Sequence, residues 1–381
     1  MSELTNSQCA ALTELRHQLH AHPELSGEEI RTAGRIALAL EEAGADHLYE
    51  GLGGHGVAAS FAGPEDGPTV LIRCELDGLP IEEISDLPYR SAAPGKGHLC
   101  GHDGHMAIVM GVAKLLARRP KRGRVILLFQ PAEETGQGAA TVIADPRWPA
   151  LRPDFAFAFH NVPGRRLGEI GLRTGPACCA SRGVKVQLVG KSSHAAEPQN
   201  GLSPAAAMAR LMGDLETLGM GGVRDGDFRL STLTHARLGA PTFGIAPGEG
   251  ELRVTLRSST DDGIAQMVKG ADAAIADARG ALTVETSFCD IFQATLNHLD
   301  AIALARAAAE ICGNLIQEMD TPQSWSEDFG QFGLDGAKSA IVFLGAGENH
   351  PQLHNPDYDF PDDLIAPGAK LMRAIIALLL D

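Results

Sequence analysis

Residues 97–105 read Gly97-His98-Leu99-Cys100-Gly101-His102-Asp103-Gly104-His105, and the twelve that follow, 106–117, are MAIVMGVAKLLA. Cys100, His102 and His105 place a thiol and two imidazoles within six residues, beside the acidic Asp103. Thiolate and imidazole are side chains that borderline-soft cations favour. The Cys-x-His spacing lets two ligands from one loop reach one ion, or two neighbouring ions. Glycines among them allow backbone angles that strain other residues, so the loop can fold around a small centre. The apolar, helix-prone run after it predicts a loop-to-helix junction, a common place for chemistry. In a chain with fourteen histidines this cluster carries weight only if other segments supply carboxylates, more imidazole and a base.

Segments on either side supply them. Upstream, residues 69–73 (TVLIR) form a short apolar strand of the kind buried in a parallel sheet, and it runs into Cys74-Glu75-Leu76-Asp77. Downstream, 124–129 (RVILLF) ends in Gln130-Pro131-Ala132-Glu133-Glu134, and 155–159 (FAFAF) ends in His160. Three buried strands that end on ligand-type side chains fit an open α/β sheet, whose sites lie at the carboxyl ends of the strands. Adjacent residues point in different directions, so of Glu133 and Glu134 one can bind metal while the other faces substrate. Residues 6–21 and 27–43 are expected as helices, with Ser26 and Glu29 as a capping box for the second. A further short strand is expected over 57–61.

After Arg182 the pattern changes to alternating strands and amphipathic helices. Strands at 183–190, 228–238, 251–259 and 282–288 with helices at 203–218 and 262–279 give the order β-α-β-β-α-β, the ferredoxin-like split βαβ. The α/β style resumes near residue 293, with a strand at 339–344, candidate ligands His350 and His354, and a closing helix over 363–380. The expected fold class is therefore α/β, with a catalytic domain over 1–182 and 293–381 interrupted by an α+β domain over 183–292.

Composition narrows the function. Forty-eight acidic residues against 32 basic ones give a net charge of −16, which argues against nucleic acid as a partner. Seven cysteines without a regular spacing suit a reduced, cytoplasmic setting better than a disulfide framework. Neither an apolar signal core nor a run of about 18 apolar residues is found, so no membrane association is expected.

Six motifs in order carry a resemblance that spans essentially the whole chain. They are His22-Pro23-Glu24-Leu25, Cys100-Gly101-His102-Asp103-Gly104-His105, Gln130-Pro131-Ala132-Glu133-Glu134, His160-Asn161-Val162-Pro163-Gly164, Ser326-Glu327-Asp328-Phe329 and Leu353-His354-Asn355-Pro356. Together they resemble the metal-dependent amidohydrolases that include hippurate hydrolases, N-acyl-amino-acid hydrolases, auxin-conjugate hydrolases and N-acetyl-diaminopimelate deacetylases. The resemblance implies a catalytic domain with a dinuclear metal site and an inserted ferredoxin-like lid that often dimerises, hence a homodimer or homotetramer. It implies Cys100, His102, Glu134, His160 and His354 as ligands of two divalent ions, manganese or zinc, with cobalt or nickel as alternatives. Glu133 would be the general base, activating a metal-bridged water. His194 and Arg257 of the lid would contact substrate, Arg257 through a carboxylate. The implied reaction cleaves the amide of a small N-acyl amino acid.

Departures from the family pattern fall elsewhere. Cys74-Glu75 stands where relatives have Ala-Asp, Lys191-Ser192-Ser193 where they have Lys-Gly-Gly, and Trp325 where they have Gly. These positions bear on substrate choice rather than on chemistry. The rival readings are a dipeptidase or carbamoyl-amino-acid hydrolase of the same family, which a substrate panel separates, and a non-catalytic metal-binding protein, which the presence of Glu133 beside five ligands opposes. A redox role for the vicinal Cys178-Cys179 has little support, because such a pair is strained as a disulfide.

Overall fold

A computed structural model describes residues 3–381. The chain forms two compact units: one runs to Gly175 and resumes over Leu296–Asp320 and Asp328–Asp381, and the other is Pro176–Thr295 with Thr321–Glu327.

The first unit is built on an eight-stranded mixed sheet. Its order is His47–Leu52, Gly56–Ala62, Arg122–Gln130, Glu65–Glu75, Phe155–Val162, Lys338–Gly345, Ile170–Leu172, Ile316–Glu318. The central four run parallel, and the first two form an antiparallel hairpin at one edge. Both faces of the central strands are covered, which is why their sequences are continuous apolar runs rather than alternations. From Glu65–Glu75 the chain crosses through helix His102–Leu115 to the strand on one side, and later reaches the strand on the other side. The end of Glu65–Glu75 is thus a switch point, where an open α/β sheet leaves a crevice. Helix His102–Leu115 is buried at every position but Lys114, among helices Asn6–His20 and Ile365–Leu380. A helix apolar all round is a core helix, and this one anchors the residues at its N-terminus.

In the second unit, strands Ala180–Val189, Arg229–Leu238, Glu249–Ser258 and Thr283–Phe292 form an antiparallel sheet. Numbered in chain order, they lie 2-3-1-4. Helices Ala205–Glu216 and Asp261–Ala278 connect them and bury Leu211, Leu215, Ile264 and Met267 against Val184, Val186, Leu252 and Val254.

The expected capping box is overturned. Helix Ile30–Glu42 begins after Glu29, which makes no side-chain cap. Ser26 Oγ instead donates to Asp77 at 2.7 Å, and the buried Glu29 carboxylate accepts from Ala132 N–H at 2.8 Å. A buried acceptor and a strained turn outcompete a local cap. A capping box does open helix Asn6–His20, where Thr5 and Gln8 satisfy each other's backbone N–H groups. Short strands at His47–Leu52, Ile170–Leu172 and Ile316–Glu318 went unexpected.

Candidate metal centre

Cys100, His102, Glu133, Glu134, His160 and His354 meet at the carboxyl ends of the central strands. Three sets of their donor atoms each gather within 4.8 Å: Cys100 with His102 and His160, Cys100 with Glu134 and His354, and His102 with Glu133 and Glu134. Shared members make these one cluster. Cys100 precedes helix His102–Leu115, and His102 opens it. The N-cap between them, Gly101, has φ 90°, and a Cβ there would fall 2.4 Å from the Asn161 side chain, so glycine alone fits. Glu133 and Glu134 lie in the turn after Arg122–Gln130. Its Ala132 holds φ 52°, a left-handed angle secured by Glu29. His354 also has positive φ, 66°, and is fixed by its N–H donating to Leu99 O at 2.8 Å.

Hydrogen bonds set the histidine tautomers. His102 Nδ1–H donates to Asp77 O at 2.8 Å, and His160 Nδ1–H donates to Asn161 O at 2.8 Å. Each therefore presents Nε2 to the cluster, the arrangement that orients imidazole toward a metal. His102 Nε2 is buried without a hydrogen bond and lies 3.9 Å from Glu134 Oε1, while His160 Nε2 lies 3.5 Å from Cys100 Sγ. His354 Nε2 is 3.8 Å from Glu134 Oε2. Imidazole, thiol and carboxylate atoms converging in this way suit a cation.

Electrostatics agree. Burial and the Glu134 carboxylate push the Cys100 thiol well up. Burial alone would push His102 down, but Cys100 and Glu75 hold it well above its ordinary value. The pocket thus favours positive charge at His102, and a divalent cation would displace that proton and the one on Cys100. His160 is held well down by burial and by His105, and stays neutral. The donor set of one sulfur, imidazoles and carboxylate fits transition cations.

His105 takes another part than its sequence neighbours. Its Nδ1–H donates to the buried Glu75 at 2.7 Å, and its Nε2 accepts from Asn161 N–H at 3.3 Å. Asn161 in turn donates to Cys100 O at 2.9 Å and accepts from Tyr358 at 2.8 Å. Asp77 accepts from Glu134 N–H at 3.0 Å. The sequence marked Glu75 and Asp77 only as carboxylates following a strand, Asn161 only as part of a motif and Glu29 as a cap, and showed none of them in this supporting part. His194 and Arg257 belong to the second unit. His194 is exposed, and its Nδ1 accepts from Ala196 N–H at 3.1 Å, leaving Nε2–H outward. Arg257 donates to Ser326 Oγ at 2.9 Å and Ser324 O at 3.3 Å.

The description "Peptidase family M20/M25/M40" matches residues 71–378. An N-acetyl-L-cysteine deacetylase of Bacillus subtilis (strain 168) is 32% identical over 377 residues, 97% of this chain and 88% of that protein. A hippurate hydrolase of Campylobacter jejuni is 30% identical over 366 residues, 94% of this chain and 93% of that protein. Among solved structures, a Bacillus subtilis protein described as a dinuclear metal binding peptidase from the M20 family superposes with a TM-score of 0.80 at 25% identity, covering 99% of both chains. Family match, shared fold and clustered metal-type donors agree: the chain belongs to peptidase family M20/M25/M40 and is a metal-dependent amidohydrolase.

Proposed function

We propose that the chain hydrolyses the amide bond of N-acyl amino acids, releasing a carboxylate and a free amino acid. The observation that carries this is the convergence of Glu133 with five metal-type donors at one strand-end crevice. The relatives named for N-acetyl-L-cysteine and hippurate, both N-acyl amino acids, support the substrate class.

Cys100, His102, Glu134, His160 and His354 would hold two divalent cations, manganese or zinc. When bound, such cations polarise an amide carbonyl and bring the pKa of water from about 15.7 toward about 7. Glu133 takes a proton from the attacking water as the carbon–oxygen bond forms, and gives it to the nitrogen as the carbon–nitrogen bond breaks. The second unit would serve as a ferredoxin-like lid and dimerisation domain, in which His194 offers Nε2–H to the developing oxyanion and Arg257 a charge to the substrate carboxylate. Asp77, His105 and Asn161 fix the ring and loop orientations that the donors need.

The test is Glu133→Gln. It is expected to keep the metal content and lower turnover of an N-acetyl amino acid by about 10²–10⁴-fold, the usual worth of a general base. Near-normal turnover overturns the base assignment.

A further inference from the structure

Behind Glu133 lies a buried charge cluster that the reaction above does not use. Arg73 is fully buried on strand Glu65–Glu75 and donates Nε–H to Gln130 Oε1 at 2.9 Å, Nη2–H to Asp328 Oδ1 at 2.7 Å, and Nη1–H to Glu75. Asp328 accepts further from Gln130 Nε2, at 2.9 and 3.0 Å, and from Ala139 N–H at 2.8 Å. Donors from two strands and a helix thus fix this one carboxylate, and with it the peptide that carries it. The N–H of that peptide points to Glu133 Oε1 at 3.4 Å. The turn between Gln130 and Ala139 is closely packed there: a Cβ at Gly138 would fall 1.8 Å from Pro131 O.

We propose that Asp328 is a positioning residue for the base: its side chain, locked by Arg73, Gln130 and Ala139, aims its own N–H at Glu133 and fixes that carboxylate at the crevice. The inference rests on Glu133 being the base. It also extends inward, since Glu75, the other partner of Arg73, holds His105, and His105 holds the backbone beside His160. Base and ligands are thereby referred to one rigid frame. Such frames matter because a displacement of about 1 Å can cost about 10²-fold in rate.

The experiment is a double-mutant cycle on the full chain loaded with manganese or zinc, reading kcat, KM, bound metal and melting temperature. Asp328→Asn keeps the shape but sets an NH₂ group against Arg73 or the Ala139 N–H. It is expected to lower kcat by about 10²-fold with KM and metal content unchanged. In a Glu133→Gln background the same change is expected to leave the residual rate within about twofold, since the Asp328 N–H acts on Glu133 and an unchanged metal content excludes the path through Glu75 and His105. Should Asp328→Asn fail to fold, Gln130→Met leaves the Arg73–Asp328 pair intact and enters the same cycle, with a smaller loss in the same direction. Equal losses in both backgrounds, or full kcat in both variants, overturn the positioning role and leave the base reading standing. Near-normal turnover of Glu133→Gln alone overturns the base reading, and this inference with it.

Discussion

Gly104→Ala is a one-methyl test of how the metal loop is packed. Gly104 sits on the first turn of helix His102–Leu115, between His102 and His105. A Cβ there would lie 2.2 Å from Phe360 Cγ and Cδ1 and 2.4 Å from Cδ2. Carbon atoms pack at about 3.5–4.0 Å, so ring or helix must yield by more than about 1 Å. Phe360 is fully buried and stands edge-on to the His105 ring, with centroids 6.0 Å apart, so it has no solvent to swing into. Overpacking of this kind costs about 1–3 kcal/mol, offset by about 0.5–1 kcal/mol from replacing glycine in a helix. The net is a loss centred on about 1 kcal/mol, within about 0–2.5 kcal/mol, or about 2–4 °C in melting temperature at the centre. If the helix yields rather than the ring, His102 moves with it, and turnover falls by up to about 10²-fold. The control is Gly34→Ala in helix Ile30–Glu42, where a Cβ meets nothing within 4 Å. That change is expected to stabilise by about 0.4–1 kcal/mol. Thermal unfolding at fixed metal concentration reads both variants. A Gly104→Ala protein that melts at or above the wild-type temperature refutes the packing argument.

Two further outcomes follow from the buried polar groups. Asp77→Ala removes the carboxylate that accepts from Glu134 N–H, and is expected to weaken metal binding by about 10–100-fold, measured by competition with a chromophoric chelator. His20 is buried between Asp103 at 2.9 Å and Glu83 at 3.2 Å; burial alone would push it down, but these carboxylates raise it from 6.5 to about 10. The neighbouring Tyr89 is pushed up to about 12 and Arg16 stays charged, so neither titrates in that interval. A raised folded-state value means the stabilisation is complete below about 6.5 and is lost as pH climbs through about 10. Melting temperature is expected to fall across that window, and His20→Gln to remove this slope.

The candidate donor cluster was legible because its residues cling to local motifs. Cys100 and His102 share one loop, and Glu134 and His160 terminate strands whose apolar runs announce a parallel sheet. Hydrophobic patterning likewise located most of the longer strands and helices of both units to within a few residues. What escaped was the supporting shell, for a physical reason. Arg73 and Asp328 are 255 residues apart, and Asn161 and Tyr358 are 197 apart; only the folded sheet brings them together. His105 shares the loop of Cys100 and His102, but both its nitrogens are taken by Glu75 and the Asn161 backbone. Ser26 failed as a cap because a tertiary carboxylate, Asp77, outbid the local backbone. The true capping box at Thr5 and Gln8 had the required spacing and was readable in advance.

The most direct test measures free amino acid released from N-acetyl, N-benzoyl and indole-acyl amino acids by the purified chain. Each assay is run as isolated, after chelation, and after adding back manganese or zinc. The account expects release from at least one substrate, loss on chelation and recovery with metal. No release from any substrate by a chain with metal bound at the Cys100–Glu134–His354 cluster would contradict it.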